Sequence, residues 1–358
     1  MDQESERWLS APRQARMAPR TSPAAAPMNS PARSPAFRQP AGRRSLGFVR
    51  YTADLESGGV RRGLQITLGL VWLLDAALQY QPFMFSRAFV TQVLESAADG
   101  NPAVVLTPAM WAVRLIAHDV AVWNAVFATI QLAIAVGLLL RPTVRAALAG
   151  SIAWSLVVWW LSEGMGDLLT GTASPVTGAP GAVILYALIA VLVWPRGSGE
   201  SGSGSIAAAS QLGARWSRAA WLVLWGSFAY LILQPAVRAP RVLHDTIAGN
   251  AAGEPDWVAA LDRSTAAAIG SHGLTVSIVL AAVFAIVAAG IFFPPIVRPA
   301  LVLAAVAGLV IWVVGENFGG ILTGQGTDPN SGPLLILLAA AYWPLRPKAA
   351  TSRRSDQP

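Results

Sequence analysis

The chain has 358 residues, of which 54% are apolar and only 13% are charged, and its mean hydropathy is +0.49. Soluble proteins carry about 25% charged residues, so this composition favours an integral membrane protein. The net charge is +7 and there is no cysteine, which excludes disulfides, thiolate catalysis and cysteine-rich metal sites.

Residues 1–62 are rich in Pro, Ala, Ser and Arg and contain few large apolar residues. Such a segment cannot bury enough surface to fold, so we predict a disordered, basic cytoplasmic tail. Attraction of this tail to anionic lipids is an alternative to a dispensable extension. It also lacks the apolar core of a signal peptide, so the first span is expected to act as the targeting signal.

From Trp72 onward the chain repeats itself at a fixed offset of 153 residues. Trp72 recurs as Trp225, and the densest match pairs Glu163–Gly171 with Glu316–Gly324. Chance does not produce an ungapped match of this length, so the sequence indicates one unit duplicated and fused. The predicted first repeat covers residues 63–195 and the second covers residues 215–345.

Each repeat contains four apolar stretches that we predict to cross a hydrocarbon core of about 30 Å. The predicted spans are Leu64–Gln81, His118–Leu140, Thr143–Leu161 and Gly181–Trp194, then Trp216–Gln234, Gly273–Phe293, Ile296–Val314 and Gly332–Leu345. Both fourth spans are short, so tilting, bilayer thinning or incomplete crossing is expected there. Long outer loops are predicted after both first spans, at Phe83–Ala117 and Ala236–Ser271, the former with Phe85, Phe89, Val93 and Leu94 as an apolar helical face on the membrane interface.

These features predict an all-α polytopic membrane protein of two tandem four-helix units with about eight spans. Because four spans are an even number, the two units are parallel. A Gly/Ser-rich linker at 196–214 and a tail at 346–358 are predicted to be cytoplasmic, as are both termini. This orientation in the cell membrane places 21 of the 26 Lys and Arg residues inside and 5 outside, as the positive-inside rule requires. The basic charge therefore reflects topology, and nucleic acid is not an expected partner.

The glutamates of the repeated motif, Glu163 and Glu316, follow Trp159 and Trp312 at helical spacing, at the predicted outer ends of the third spans. A carboxylate there meets the negative end of the helix dipole, and partial burial raises its pKa. Two interpretations remain open: a solvated acid that ends its helix, or the rim of a cation or substrate site.

Polar residues that only the first half carries are the second candidate site. Asp75 corresponds to Phe228, Gln79 to Ile232, Asn124 to Ser277 and Gln131 to Phe284, while His118-Asp119 corresponds to Ser271-His272. Polar groups inside the membrane are costly and tend to mark function. We predict an outer-leaflet cluster of Asp75, Gln79, Asn124 and His118, with Asp119 beside it. A structural hydrogen-bond clamp between helices is the alternative.

Metal and phosphate sites have little support in the sequence. His118, His244 and His272 show no ligand spacing, although haem ligation by His118 and His272, which both begin second spans, is an alternative. No glycine-rich segment follows a strand in the manner of a phosphate loop.

The four-span unit resembles the DoxX/DoxD-like membrane proteins over Leu64–Pro195 and again over Trp216–Pro344. The resemblance is carried by Gln-Pro after the first span (Gln81-Pro82, Gln234-Pro235), the turn from Gly137 to Pro142, and the stretch from Glu163 to Thr170-Gly171. It implies a membrane subunit linked to redox metabolism, with quinone as the cofactor class and other membrane or redox subunits as partners, because some members are associated with thiosulfate:quinone oxidoreductase. No catalytic motif can be carried over. A transporter or solute-binding protein and a non-catalytic assembly subunit are the alternatives.

Overall fold

The computed structural model describes residues 42–195, 206–208 and 212–345, with side chains from residue 58 onward. Within these ranges the protein is helical, and its only β-type pairing is an isolated antiparallel bridge between Ile206 and Pro344. The predicted all-α class is therefore confirmed for the part of the chain that the structure describes.

The first half forms seven helices joined by short helical turns. They are α1 (Gly42–Leu78), α2 (Arg87–Phe89), α3 (Ser96–Ala98), α4 (Ala103–His118), α5 (Val120–Leu139), α6 (Val144–Leu161) and α7 (Ala182–Leu192). The π-helical turn Val90–Glu95 joins α2 to α3, and 3-10 turns lie at Pro82–Phe85, Arg141–Thr143, Gly164–Asp167 and Pro175–Thr177.

The second half follows a similar order of elements. Its helices are α8 (Gly213–Leu231), α9 (Val242–Asn250), α10 (Asp256–Ile269), α11 (Gly273–Gly290), α12 (Val297–Val310) and α13 (Ser331–Ala341). A π-helical turn, Ile311–Gly315, extends α12, and 3-10 turns lie at Pro294–Ile296 and Asn317–Thr323.

Four helical stretches are long and apolar enough to cross a membrane: Val120–Leu139, Arg141–Leu161, Gly273–Gly290 and Pro294–Gly315. Each has 18 to 22 residues and a mean hydropathy between 1.5 and 2.4. They coincide with the predicted second and third spans of both halves. The chain is therefore a membrane protein by the character of these helices.

Helix α1 begins at Gly42, so about the last third of the predicted disordered tail, residues 1–62, is helical instead. Helix elongation adds one hydrogen bond per residue, so a helix nucleated in the apolar part of α1 extends toward Gly42 in spite of Gly47, Gly58 and Gly59. The rest of the predicted tail lies outside the described residues. Arg62 donates to the carbonyl oxygens of Leu138 (2.8 Å) and Leu139 (2.6 Å), which satisfies the open carbonyl end of α5.

The long loops predicted after the first spans are largely helical. In the first half, α2 to α4 occupy most of the predicted loop Phe83–Ala117. Phe89 and Leu94 are buried against α4 and α5, whereas Phe85 remains exposed. The apolar face that we predicted on the membrane interface is therefore mostly packed inside the protein, because α4 supplies a partner for it.

The fourth helices, α7 and α13, are short and central. Each has 11 residues, and they pack against each other and against α6 and α12. A helix of that length is about 16 Å long, which is about half of a hydrocarbon core. Irregular segments such as those that precede both helices are tolerated inside a bilayer only where protein surrounds them.

Part of the predicted flexible linker is fixed in place. Ile206, Ala207 and Ala208 are buried, and the Ala208 amide donates to the Ala341 carbonyl oxygen (2.9 Å) at the end of α13. The Gly/Ser-rich residues 197–204 lie outside the described residues.

Candidate functional site

The turn after α6 brings Glu163 against the start of α7. Met165 and Gly166 adopt left-handed backbone conformations (φ 58° and 61°), which reverse the chain immediately after Glu163. A Cβ atom on Gly166 would lie 2.2 Å from the Pro180 carbonyl oxygen, so only glycine allows this close approach. The repeated glycines of the motif therefore let the turn pack directly on the segment that leads into α7.

Glu163 and Trp159 together hold the N-terminus of α7. The Glu163 Oε1 atom accepts a hydrogen bond from the Val183 amide (3.4 Å), and the Trp159 indole donates to the Pro180 carbonyl oxygen (2.6 Å). Both side chains contact the segment at the start of α7, which is consistent with their predicted placement on one helix face.

Glu316 performs the corresponding task in the second half. Its carboxylate accepts from the amides of Ser331 (3.2 Å) and Gly332 (3.0 Å) and from the Ser331 hydroxyl group. Both glutamates thus face the positive N-terminal end of the next helix as well as the end of their own. The interpretation of a solvated acid that merely ends its helix is wrong for both, because their carboxylates are enclosed by that next helix.

The predicted rise in pKa is confirmed for both glutamates, with burial as the main cause. Burial raises the pKa of Glu163 to about 8, and the nearby Asp328 carboxylate adds to the rise. Burial raises the pKa of Glu316 to about 7, although the hydrogen bonds from Ser331 and Gly332 oppose the shift. Near neutral pH both acids are therefore poised to gain or lose a proton.

A cavity of about 350 Å³ lies in the first half, enclosed by α1, the α2–α3 segment, α4, α5 and α6. Six aromatic side chains supply much of its wall, namely Trp72, Phe89, Trp111, Trp123, Phe127 and Trp154. Its polar lining consists of Asp75, Gln79, Gln131, Ser162, Glu163, Thr327 and Asp328. This combination of an apolar wall and a few convergent polar groups is typical of small-molecule sites.

Asp75 of α1 and Gln79, which directly follows α1, are one helical turn apart, and both line the cavity. They are only 2% and 5% exposed, respectively. The Asp75 carboxyl group lies beside the hydroxyl group of Tyr186, a fully buried residue of α7. The ring centroids of Tyr186 and Trp72 are 4.5 Å apart, with the ring planes tilted by 49°. The structure therefore brings three of the polar residues that only the first half carries, Asp75, Gln79 and Gln131, to one cavity.

Several buried polar atoms of the cavity wall have no hydrogen-bond partner among the described residues. They are Gln79 Oε1, Gln131 Oε1, Glu163 Oε2 and Trp154 Nε1. Buried polar groups are usually paired, so a concentration of unpaired ones on a single cavity points to a ligand or solvent that pairs them.

Asp328 joins this site from the second half of the chain, which the sequence did not lead us to expect. It lies in the loop before α13, and it accepts from the Asn330 amide (2.6 Å) and the Thr327 hydroxyl (2.9 Å). The Gln81 side chain donates to the Gly326 carbonyl oxygen (3.1 Å), which fastens this loop over the first half. Burial raises the pKa of Asp328 as well. One signal was present: Asp328 is another unrepeated acid, with Pro175 as its counterpart.

The other predicted site residues are not part of the cavity. Asn124 is fully buried, and its side chain donates to the Gln79 carbonyl oxygen (2.7 Å), which makes it a clamp between α5 and α1. His118 and Asp119 are exposed at the turn between α4 and α5, where Asp119 caps α5 by accepting from the Val122 amide (3.2 Å). Glu316 lies outside the cavity, beside α13.

The corresponding region of the second half is filled by aromatic rings. Phe228 and Phe284 stand where the first half has Asp75 and Gln131, and their ring centroids are 5.5 Å apart. Trp225, the counterpart of Trp72, packs on both rings at 5.2 and 5.9 Å. These residues belong to the main hydrophobic core.

Comparison of the chain with protein-family models, with curated proteins and with solved structures finds no match.

Proposed function

We propose that the protein is an integral membrane protein that binds one small, largely apolar molecule in the first-half cavity. The observation that carries this proposal is the coincidence of an aromatic wall with unpaired buried polar atoms, of which Gln79 Oε1 belongs to the most deeply buried side chain. A cavity built only for packing would not concentrate polar groups that lack partners.

Access from the bilayer is part of the proposal. Between α4 and α6 the cavity wall includes Trp111, Leu115 and Val157, which are 58%, 38% and 47% exposed on the protein surface. Exposed apolar side chains of this kind face lipid in a membrane protein. A ligand dissolved in the bilayer would therefore reach the cavity without crossing water.

The proposed architecture is two tandem four-helix units with about eight spans, with both termini in the cytoplasm of the cell. It is supported by the offset of 153 residues and by the equivalent roles of Glu163 and Glu316 at α7 and α13. The test uses the absence of native cysteine. We expect a cysteine placed at Ser201 to react with an impermeant maleimide only after the cells are opened. Labelling in intact cells would overturn this orientation.

A quinone is one occupant class, because the resemblance to DoxX-like proteins implies redox metabolism and the aromatic wall suits a flat apolar ring. In that case added quinone should displace or replace the bound molecule. Co-purification of a larger redox enzyme would instead favour an assembly role.

The decisive experiment is mass spectrometry of small molecules and proteins that co-purify with the full chain in mild detergent. The matched control is Gln131→Phe, which places in the cavity the residue found at the corresponding position of the second half. We expect a small molecule to accompany the wild-type protein and to be lost from this variant. Identical small-molecule profiles for the two proteins would contradict the proposal.

A further inference from the structure

The charge balance of the cavity selects the chemistry of its ligand, an argument that rests on the proposed function. Three carboxyl groups line it: Asp75 from α1, Glu163 from the turn after α6, and Asp328 from the loop before α13. The described lining residues include no Lys, Arg or His. Carboxylates buried without a cation are costly, so the empty cavity favours protonated acids, and a bound cation would replace those protons.

The unpaired atoms of the wall are chiefly acceptors. The acceptors are Gln79 Oε1, Gln131 Oε1 and Glu163 Oε2, and Trp154 Nε1 is the one donor among these described atoms. Gln79 and Gln131 are only 5% and 8% exposed, line the cavity and are not acids, so they point to a ligand independently of the acidic cluster. A ligand that donates hydrogen bonds or carries positive charge satisfies these atoms better than one that offers further acceptors.

The aromatic wall suits the same class of ligand. Trp72, Trp111, Trp123 and Trp154 all line the cavity. The face of a tryptophan ring attracts a cation, and the attraction is largest where water is excluded. The rings also provide apolar surface for the body of the molecule.

We propose that the first-half cavity binds an organic cation with an apolar body, and that binding releases a proton from the carboxyl groups that receive it. The charged head lies among Asp75, Glu163 and Asp328, and the apolar body lies against the tryptophans. One cation is bound per chain, because Phe228 and Phe284 fill the corresponding space of the second half.

The pH dependence follows from the groups that face the head. They are the three carboxyl groups and the Tyr186 hydroxyl; the α2–α3 segment, α4 and α5 add only uncharged side chains to the lining. Because the pKa of Glu163 is raised to about 8, its carboxyl group is protonated at pH 6 and ionised at pH 9. Affinity for a permanent cation therefore rises between these two pH values, since the competing proton is removed.

The test measures binding of benzyltrimethylammonium to the full chain in a neutral detergent by tryptophan fluorescence. Its charge does not titrate, and neopentylbenzene is the neutral molecule of the same shape. We expect the cation to bind at least about tenfold more tightly than the neutral molecule at pH 9. We also expect Asp75→Asn and Asp328→Asn each to weaken cation binding at least about fivefold, with neopentylbenzene binding unchanged.

Asp256→Asn removes one negative charge at an exposed position of α10 and is the matched control. It should leave cation binding unchanged, and thermal unfolding in the same detergent verifies that each variant is folded. Binding of neopentylbenzene as tight as that of the cation would overturn this inference and leave the proposed function standing. Failure of both molecules to bind, with a co-purification profile unaffected by Gln131→Phe, would overturn both.

Discussion

The two halves of this protein use equivalent positions in opposite ways. In the first half, Asp75 and Gln131 line a cavity, whereas in the second half Phe228 and Phe284 pack on each other at the corresponding positions. The surrounding framework is alike, because Glu163 and Glu316 each hold the N-terminus of the following short helix. The comparison teaches that the framework supplies stability in both halves, while a few interior substitutions decide which half has room for a ligand.

The indole nitrogens of the paired tryptophans show the same difference on a smaller scale. Trp72 donates to the Ser151 hydroxyl (3.0 Å), whereas the counterpart of Ser151 is Ala304. The Trp225 indole nitrogen consequently has no partner among the described residues. The second half therefore has aromatic packing where the first half has a polar contact.

We expect the largest effect on stability when the acid of the first half, Asp75, is introduced at the corresponding position of the second half, Phe228. Phe228→Asp removes a fully buried ring that packs on Trp225 and Phe284, and it buries a carboxyl group in their place. Because this core offers no compensating cation or cavity, we expect a loss of about 4 kcal/mol or more in the free energy of unfolding. Thermal unfolding followed by circular dichroism in detergent measures it.

The controls for this change are Phe228→Leu and Asp75→Phe. Phe228→Leu keeps an apolar side chain and should cost less than about 2 kcal/mol. Asp75→Phe places a ring in an existing cavity, so the protein should remain stable while ligand binding is lost. If Phe228→Asp were as stable as Phe228→Leu, the contrast between the two interiors would not hold.

A smaller effect is expected when the two glutamates are replaced by glutamine. The change in the second half should lower stability, whereas the change in the first half should alter ligand binding. Glu316 accepts three hydrogen bonds at α13, so Glu316→Gln should lower stability by about 1–2 kcal/mol. Glu163 makes one long hydrogen bond and also faces the cavity, so Glu163→Gln should change ligand binding and its pH dependence more than Glu316→Gln does. Parallel binding and unfolding measurements on both variants check this, and equal effects on binding would contradict it.

The sign of the pH effect on stability follows from the raised pKa values. Glu163 titrates near its ordinary value when unfolded but at about 8 when folded, so the folded protein holds the proton more tightly. This contribution to stability is fully present below the unfolded pKa and is lost as pH rises from about 4.5 to about 8. The loss of stability over that window should be smaller in Glu163→Gln, which cannot titrate there. An unchanged pH profile of unfolding would show that Glu163 is not the group responsible.

Features of the fold and of the site could be predicted from the sequence where they depend on a short, local stretch of residues. The central spans were predicted to within a few residues, because α5, α6, α11 and α12 are uninterrupted apolar runs. Asp75 and Gln79 were predicted because a polar residue inside an apolar helix stands out without knowledge of its neighbours. Helix α4 was predicted as part of a loop, since Gly100-Asn101-Pro102 suggested a break in the chain.

What the sequence could not give was contact between distant segments. Glu163 meets Val183 because the chain reverses at Gly166, and Asp328 reaches the first-half cavity because its loop is fastened by Gln81. Neither contact leaves a periodic pattern in the sequence. His118 was wrongly grouped with Asp75, because membrane depth alone does not determine the direction in which a helix end faces.

The smallest expected effect concerns the clamp at Asn124 and its counterpart Ser277, both fully buried. The Asn124 side chain donates to the Gln79 carbonyl oxygen (2.7 Å), whereas the Ser277 hydroxyl has no partner among the described residues. Hydrogen bonds between membrane helices contribute about 0.6 kcal/mol on average, so Asn124→Ala should lower stability by about that amount or somewhat more. Ser277→Ala should be neutral or slightly stabilising, because it removes a buried group that lacks a partner. Unfolding of both variants in the same detergent checks this pair, and a greater loss for Ser277→Ala would show that the second half depends on a polar contact that its aromatic packing does not reveal.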